Sequence, residues 1–505
     1  MSEVRPGSLP HALGCASERR ANAAERNAHG RVPPPAHILA RERRTPAPRS
    51  PLEVIMQRDC PGPTARVLPT RPGGPPLDLG PLLEERGRVD PRIYVDPEVY
   101  ELEQERVFGR SWLFLAHESQ LKRPGDFITT YMGEDPIIVS RQDDGSVAAF
   151  LNQCRHRGMR LTQEDAGHTR VFTCTYHGWT YDRGGRLSSV RDERELYRCP
   201  VDRDRWSAVR VPRVESFHGF VFGTWDEHAP SFRDSLGDAA WYFEPLLDGL
   251  GGTEVIGVTK WTVPCNWKFG AEQFASDGYH FGMSHLSALK ALVSQVPGAP
   301  RTMQEATPPP DGGRQFKNAQ GHGALMAALP PNLMRGARLA FEPKANEWLQ
   351  GPRQDFLVRK YGEARASVFI PASNLFPNVG ILPAANALRV WQPKGPEQME
   401  VWSYVIADAD APADVKQAIR LGNQRTFGST GIFEQDDTHN WTEIQRVLKG
   451  RRARREIFNM EMDSGTQQDA EGRFPGTTAN RSASEVAARA FYRRWASLLS
   501  TEGAP

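Results

Sequence analysis

Two stretches of this chain each carry one cysteine and one histidine, and a shared metal would force the fold to bring them together. In CRHRGMRLTQEDAGHTRVFTCTYHGWTYD, residues 154–182, the pairs are Cys154/His156 and Cys174/His177, separated by a 17-residue gap. Structural zinc usually reads as Cys-x2-4-Cys with a later His-x3-5-His or a second Cys pair. Here each loop supplies one thiolate and one imidazole, the wrong order for that. The other four of the six cysteines have no ligand-type neighbours, and six is too few for a disulfide scaffold in 505 residues.

Two irons bridged by two sulfides account for the order. One iron takes both thiolates and the other both imidazoles, so each loop touches both irons. That is Rieske [2Fe–2S] ligation, in which neutral His replaces Cys and raises the reduction potential. Tyr176 and backbone amides are candidate donors to tune it.

The surroundings of the motif read as β-structure. Short β-prone runs from residue 113 to 230 are split by Glu134-Asp135-Pro136 and Asp143-Asp144-Gly145, which predicts antiparallel hairpins and an all-β domain over 113–230. Before it, DPEVYELEQERVF predicts a short amphipathic helix within 89–112, packed on the later domain. Residues 1–88 differ from the rest. The first 85 hold 15 of the 41 prolines and 12 arginines, with no Phe, Trp or Tyr. Such a segment cannot bury enough surface to offset its ordering entropy, so a disordered extension is expected, with Met56 an alternative start.

Residues 231–505 are mixed, with helix predicted at NWKFGAEQFASDGYHFGMSHLSALKALV and ADVKQAIRLGNQRTF and strands at SVFIPASNLFPNVGIL, ALRVWQP and MEVWSYVIA. The C-terminal SASEVAARAFYRRWASLLS predicts a helix capped by Ser482 and Glu485. A net charge of +2 gives no steering towards nucleic acid. No apolar run approaches the roughly 18 residues of a membrane span, and the N-terminus lacks an apolar signal core, so a cytoplasmic location is expected.

A Rieske cluster moves single electrons and does no chemistry on substrate, so a second centre is expected. EQFASDGYHFGMSH offers Asp277, His280 and His285. Non-haem Fe(II) oxygenases use two His and one carboxylate on one face of the iron. His280 and His285 are five apart, about 140° on a regular helix, so they reach one ion only if the helix bends or ends between them. Gly278 and Gly282 make that departure feasible. GIFEQDDTHNW offers Glu434, Asp436, Asp437 and His439 for the third ligand.

From about residue 88 to 500 the chain resembles the large (alpha) subunit of bacterial Rieske-type aromatic-ring-hydroxylating dioxygenases. CRHRG…CTYHGWTYD, NWKFGAEQFASDGYHFGMSH and GIFEQDDTHNW carry the resemblance. It implies that Cys154, His156, Cys174 and His177 bind the cluster, and that His280, His285 and Asp437 bind a mononuclear Fe(II), Asp437 being preferred to Asp436. It implies that Asp277 joins the centres, bridging His177 of a neighbouring subunit to His280. A carboxylate accepting from two imidazoles couples their protonation and redox states. Gln273, near the iron, stands where many relatives have Asn, and Met283 where many carry Trp. Phe274, Met283, Phe427 and Phe433 are the candidate pocket residues.

The implied fold is α+β, an antiparallel-β Rieske domain beside a catalytic domain whose helices cover a large antiparallel sheet. The implied reaction is cis-dihydroxylation of an aromatic ring with O2. Electrons come from NADH or NADPH through a reductase, usually with a ferredoxin; the chain has no convincing Gly-rich dinucleotide fingerprint of its own. A Rieske monooxygenase or demethylase would use the same two centres. The implied assembly is α3, or α3β3 with a small β subunit. The segment 286–340, rich in Gly, Pro and Ala, is a candidate lid.

Overall fold

Glycine and acidic turn residues cut the chain between 113 and 224 into short antiparallel strands. These are β1 (Leu113–His117), β2 (Asp126–Met132), β3 (Asp135–Arg141), β4 (Val147–Leu151), β5 (Ala166–His168), β6 (Val171–Thr173), β7 (Thr180–Asp182), β8 (Leu187–Ser189), β9 (Arg213–Phe217) and β10 (Phe220–Thr224) in a computed structural model. The structure describes residues 87–293, 313–327, 342–463, 474–479 and 481–500. The N-terminal extension up to residue 86 lies outside the described residues. The strands form three sheets, ordered β4-β3-β2-β5, β6-β7-β8 and β9-β10-β1. Gly133, at φ 63°, and Glu134 make the β2–β3 turn. Asp135 and Pro136, expected in that turn, already pair with Met132 and Tyr131 as strand. The two Cys-His stretches are the β4–β5 and β6–β7 connections.

The later residues build one eight-stranded antiparallel sheet. Its strands are β11 (Thr253–Val263), β12 (Gly313–Lys317), β13 (Gly323–Ala327), β14 (Phe369–Leu375), β15 (Val379–Leu382), β16 (Ala387–Pro393), β17 (Met399–Asp408) and β18 (Thr477–Ala479). Their order is β11-β17-β16-β15-β14-β13-β12-β18. The candidate lid is therefore partly sheet, since β12 and β13 fall inside it; its stretches 294–312 and 328–341 lie outside the described residues. The helices that matter for function are α1 (Trp267–Ser276), α2 (Phe281–Ser284), α3 (Leu286–Val293), α4 (Ala413–Thr426), α5 (Ile432–Leu448) and α6 (Val486–Ser500).

α1 lies across β13 to β16. Its close approach depends on two glycines. A Cβ on Gly270 would collide with the Trp391 indole, and one on Gly380 would meet the same indole and Phe274. Trp391 thus fills a slot that only glycine leaves open on both sides.

Two carboxylates, Glu103 fully buried and Glu272 part-buried, tie α1 to the N-terminal segment and α6. Glu103, in a π-helical turn after the helix Pro97–Leu102, accepts from Lys268 Nζ (2.6 Å), Trp495 Nε1 (2.8 Å) and Trp267 Nε1 (2.9 Å). Both members of the Glu103–Lys268 pair are fully buried. One turn further on, Glu272 accepts from Tyr94 Oη (3.1 Å) and from Tyr492 Oη. Tyr94 also stacks on Phe269, ring centroids 4.3 Å apart. Lys268 and Glu272 are i and i+4 on one helix face, so the N-terminal segment and α6 grip the same side of α1. At α6 the expected cap is displaced: Ser484 Oγ accepts from Val486 N–H, and the Glu485 carboxylate accepts from Met462 N–H.

Replacing Glu103 by Gln leaves an ammonium buried without its counter-charge, which costs about 3–5 kcal/mol. The Glu103→Gln melting temperature should fall sharply, and adding Lys268→Met should recover part of the loss. Burial raises the Glu272 carboxyl to about 7, only partly opposed by the two tyrosines. The folded protein therefore keeps this proton at higher pH than the unfolded chain. The group's favourable contribution is complete below about pH 4.5 and is lost as pH rises through about 7. The melting temperature of Glu272→Gln relative to the native chain should rise between about pH 5 and about pH 8; a constant difference would show that the carboxyl is buried in its charged form.

Candidate metal centres

The two Cys-His loops share one backbone design. Cys154 N–H donates to Met159 O and Gly158 N–H to Cys154 O; Cys174 N–H donates to Trp179 O and Gly178 N–H to Cys174 O. Gly158 and Gly178 have φ of 80° and 75°, the left-handed conformation that closes such a turn. Each loop buries its cysteine and leaves its histidine part-exposed. The rings of His156 and His177 lie 4.5 Å apart, and His156 stacks on Trp179. His156 Nδ1 is buried with no hydrogen-bond partner, an atom in want of a ligand. Burial pushes the Cys154 thiol up; Tyr181 opposes the rise and Cys174 adds to it. Tyr181 Oη lies 3.5 Å from Cys154 Sγ and accepts the Arg155 N–H. Tyr181, not Tyr176, lies beside the sulfur, since Tyr176 is 57% exposed and packs its ring on His177. The only mark of Tyr181 in the sequence is its place seven residues after Cys174, on β7.

The second centre forms where α1 stops. The predicted long helix breaks into α1, α2 and α3, with Asp277 as the α1 C-cap (φ −71°, ψ 89°) and His280 and His285 as the two caps of α2. Neither Gly278 nor Gly282 takes a positive φ. Gly278 is needed for space, since a Cβ would press on Leu325 and the Ser482 carbonyl at 3.1 and 3.2 Å.

α5 supplies the opposite wall through one face of five residues. Phe433 packs its ring 5.1 Å from His285. Asp436 Oδ2 accepts from His285 Nδ1 at 3.1 Å. Asp437 Oδ1 lies 3.2 Å from His285 Nε2 and 3.4 Å from His280 Nε2. Asn440 donates to Ser284 Oγ, and Trp441 Nε1 donates to Gln273 Oε1 at 2.8 Å. Positions i, i+3, i+4, i+7 and i+8 make one helical stripe. Glu434 turns to Arg389 instead, and His439 is exposed.

The ligand atoms of His280, His285 and Asp437 all lie within 4.8 Å of one another. The two Nε2 atoms are 3.2 Å apart, closing a nearly equilateral triangle. An ion about 2.1 Å from each atom would set cis ligands about 3.0–3.4 Å apart, so the triangle fits one first-row metal. His280 Nδ1, although 3.1 Å from Asp277 Oδ2, and Asp437 Oδ1 have no well-directed hydrogen bond. Burial would lower His280, but Asp277 and Asp437 outweigh it and raise the imidazole to about 10. Burial would raise Asp437, yet the two imidazoles hold it well below the usual carboxylate range. The site demands positive charge at the centre of the triangle.

Among the candidate pocket residues, Phe427 and Phe433 pack at 5.2 Å, and the Arg389 guanidinium lies 5.7 Å from both the Phe274 and Phe427 rings. Met283, also a candidate, lies on α2 and is 66% exposed. Asp436 and Trp441 are the site neighbours whose roles the sequence did not reveal.

Comparison with known proteins agrees with this geometry. Residues 111–203 match the model of the Rieske [2Fe-2S] domain, and residues 232–501 that of the ring hydroxylating alpha subunit catalytic domain. The chain is 45% identical over 426 residues to benzene 1,2-dioxygenase subunit alpha of Pseudomonas putida, covering 83% of this chain and 92% of the relative. It is 43% identical to biphenyl 2,3-dioxygenase subunit alpha of Rhodococcus jostii, covering 84% and 92%. A crystal structure of naphthalene 1,2-dioxygenase with indole in its active site superimposes with a TM-score of 0.74 at 33% identity, covering 83% of this chain and 94% of the other. The chain therefore belongs to the alpha subunits of Rieske non-haem iron aromatic-ring-hydroxylating dioxygenases.

Proposed function

We propose that Cys154, His156, Cys174 and His177 hold the Rieske cluster, that His280, His285 and Asp437 hold the mononuclear iron, and that the subunit cis-dihydroxylates an aromatic hydrocarbon. The observation that carries this reading is the two-histidine, one-aspartate triangle, with His285 and Asp437 buried and His280 part-buried. When bound, the iron offers open positions for O2 chemistry and the cluster supplies single electrons. The chain's own residues do the rest. Asp437 and the two imidazoles occupy one side of the iron position and leave the other to substrate. Trp441 anchors the Gln273 carboxamide, whose Nε2 lies 3.4 Å from His280 Nε2, so its amide is held beside the reacting site. Phe427 and Phe433 present apolar faces that suit a flat ring and exclude water. The relatives are named for benzene and biphenyl, which supports an uncharged aromatic hydrocarbon.

Asp277 accepts from the N–H groups of Tyr279 and His280, which fixes its carboxylate at the start of the His-bearing loop. In an α3 or α3β3 assembly it would join His280 to His177 of a neighbouring subunit, with electrons delivered by a ferredoxin or reductase. Among the described residues no helix is long and apolar enough to cross a membrane, in keeping with the cytoplasmic location we propose.

Turnover under 18O2 with mono- and polycyclic aromatics and a surrogate ferredoxin and reductase should give a cis-diol carrying two labelled oxygens. One labelled oxygen would overturn the dihydroxylation reading in favour of monooxygenation. His280→Ala should lose the mononuclear iron and keep the visible absorbance of the cluster, and Cys174→Ser should do the reverse. An isolated monomer with full activity would overturn the proposed role of Asp277 between subunits.

A further inference from the structure

We infer that Asp436 is a positioning residue for the iron site, fixing the ring and tautomer of His285. This rests on the iron reading of the triangle. The sequence offers both Asp436 and Asp437, the family resemblance prefers Asp437 as the ligand, and the geometry separates the two by which nitrogen each faces. Asp437 Oδ1 is 3.2 Å from His285 Nε2, while Asp436 Oδ2 is 3.1 Å from Nδ1. These nitrogens lie on different sides of the imidazole, so both carboxylates cannot bind one ion through this ring. A neutral histidine that offers Nε2 to a metal keeps its proton on Nδ1, and an acceptor there selects that tautomer. Asp436 is that acceptor. A carboxylate in this place also makes Nε2 more basic and so strengthens its metal bond.

The two imidazoles are not equivalent in this respect. His280 Nδ1 has Asp277 at ion-pair distance but no well-directed hydrogen bond, whereas the His285–Asp436 contact is directed. Within this chain His285 is thus the better anchored ligand. The anchoring is reinforced from α5 on both sides, by the Phe433 ring one turn before Asp436 and by Asn440 holding Ser284 one turn after. The Asp436 side chain is 28% exposed, so its replacement disturbs packing less than at the buried Asp437.

The test compares Fe(II) affinity, by chelator competition on cluster-loaded protein, for the native chain, Asp436→Ala, Asp436→Asn and Asp437→Ala. Asp436→Ala should weaken Fe(II) binding about 10–100-fold, as is usual when the partner of a metal-bound histidine is lost. Asp436→Asn keeps an acceptor without the charge and should lose less. In Asp436→Asn the near-infrared circular dichroism of bound Fe(II) should shift, while the cluster's EPR signal and the melting temperature stay native. Native Fe(II) affinity in both Asp436 variants, with binding lost in Asp437→Ala, would overturn the inference and leave the iron site standing. Native affinity in Asp437→Ala would instead overturn the iron reading itself. Should Asp436→Ala fail to fold, the affinity and dichroism of Asp436→Asn decide the question.

Discussion

The candidate iron site depends on where one helix ends, and a buried charge pair holds that helix. Lys268 and Glu103 bury opposite charges completely, and Trp267 and Trp495 each donate an indole N–H to the same carboxylate. A buried pair is weak evidence for stability, since desolvation consumes much of the attraction. Its specificity is another matter. Any rotation or slide of α1 would strand two charges and two indole N–H groups, each costly to leave unpaired. The Trp391 slot adds a steric limit, because Gly270 and Gly380 allow one depth of approach. Charge and shape together set the position of Ser276, and so the point at which Asp277 breaks the helix.

Much of this was legible from residue types. The order Cys-x-His…Cys-x2-His pointed to two irons rather than one zinc, and the five-residue gap between His280 and His285 required a broken helix. The strand-like runs read at 367–382, 387–393 and 399–407 correspond to β14 to β17, the first run being divided into two strands. What escaped was information that only tertiary contact carries. Neither Gly278 nor Gly282 needs unusual backbone; Gly278 is there for Leu325 and Ser482, remote in sequence. Asp436 and Asp437 are chemically identical neighbours, and only the direction of α5 assigns them to different nitrogens of one ring. Tyr181 outranks Tyr176 because strand alternation turns it inward, next to Cys154.

The two centres differ in how they are built. The cluster loops are self-contained turns, each closed by its own backbone hydrogen bonds and a glycine, so their geometry is set locally. The second centre is assembled from a helix break and a distant helix, with no local closure between them. Its precision comes from packing.

The α5 stripe has a consequence for how such a chain can vary. Phe433, Asp436, Asp437, Asn440 and Trp441 are spaced for one helical face, and every residue of an α-helix turns the next by about 100°. Exchanging any one of them alters only the contacts of that side chain. Deleting one residue just ahead of Phe433 would leave all five present, in order and correctly spaced, yet swing the whole set a quarter-turn or more from the histidines. α5 works as a key whose teeth can be filed one at a time but whose shank cannot be shortened, so length changes have to be absorbed elsewhere in the chain.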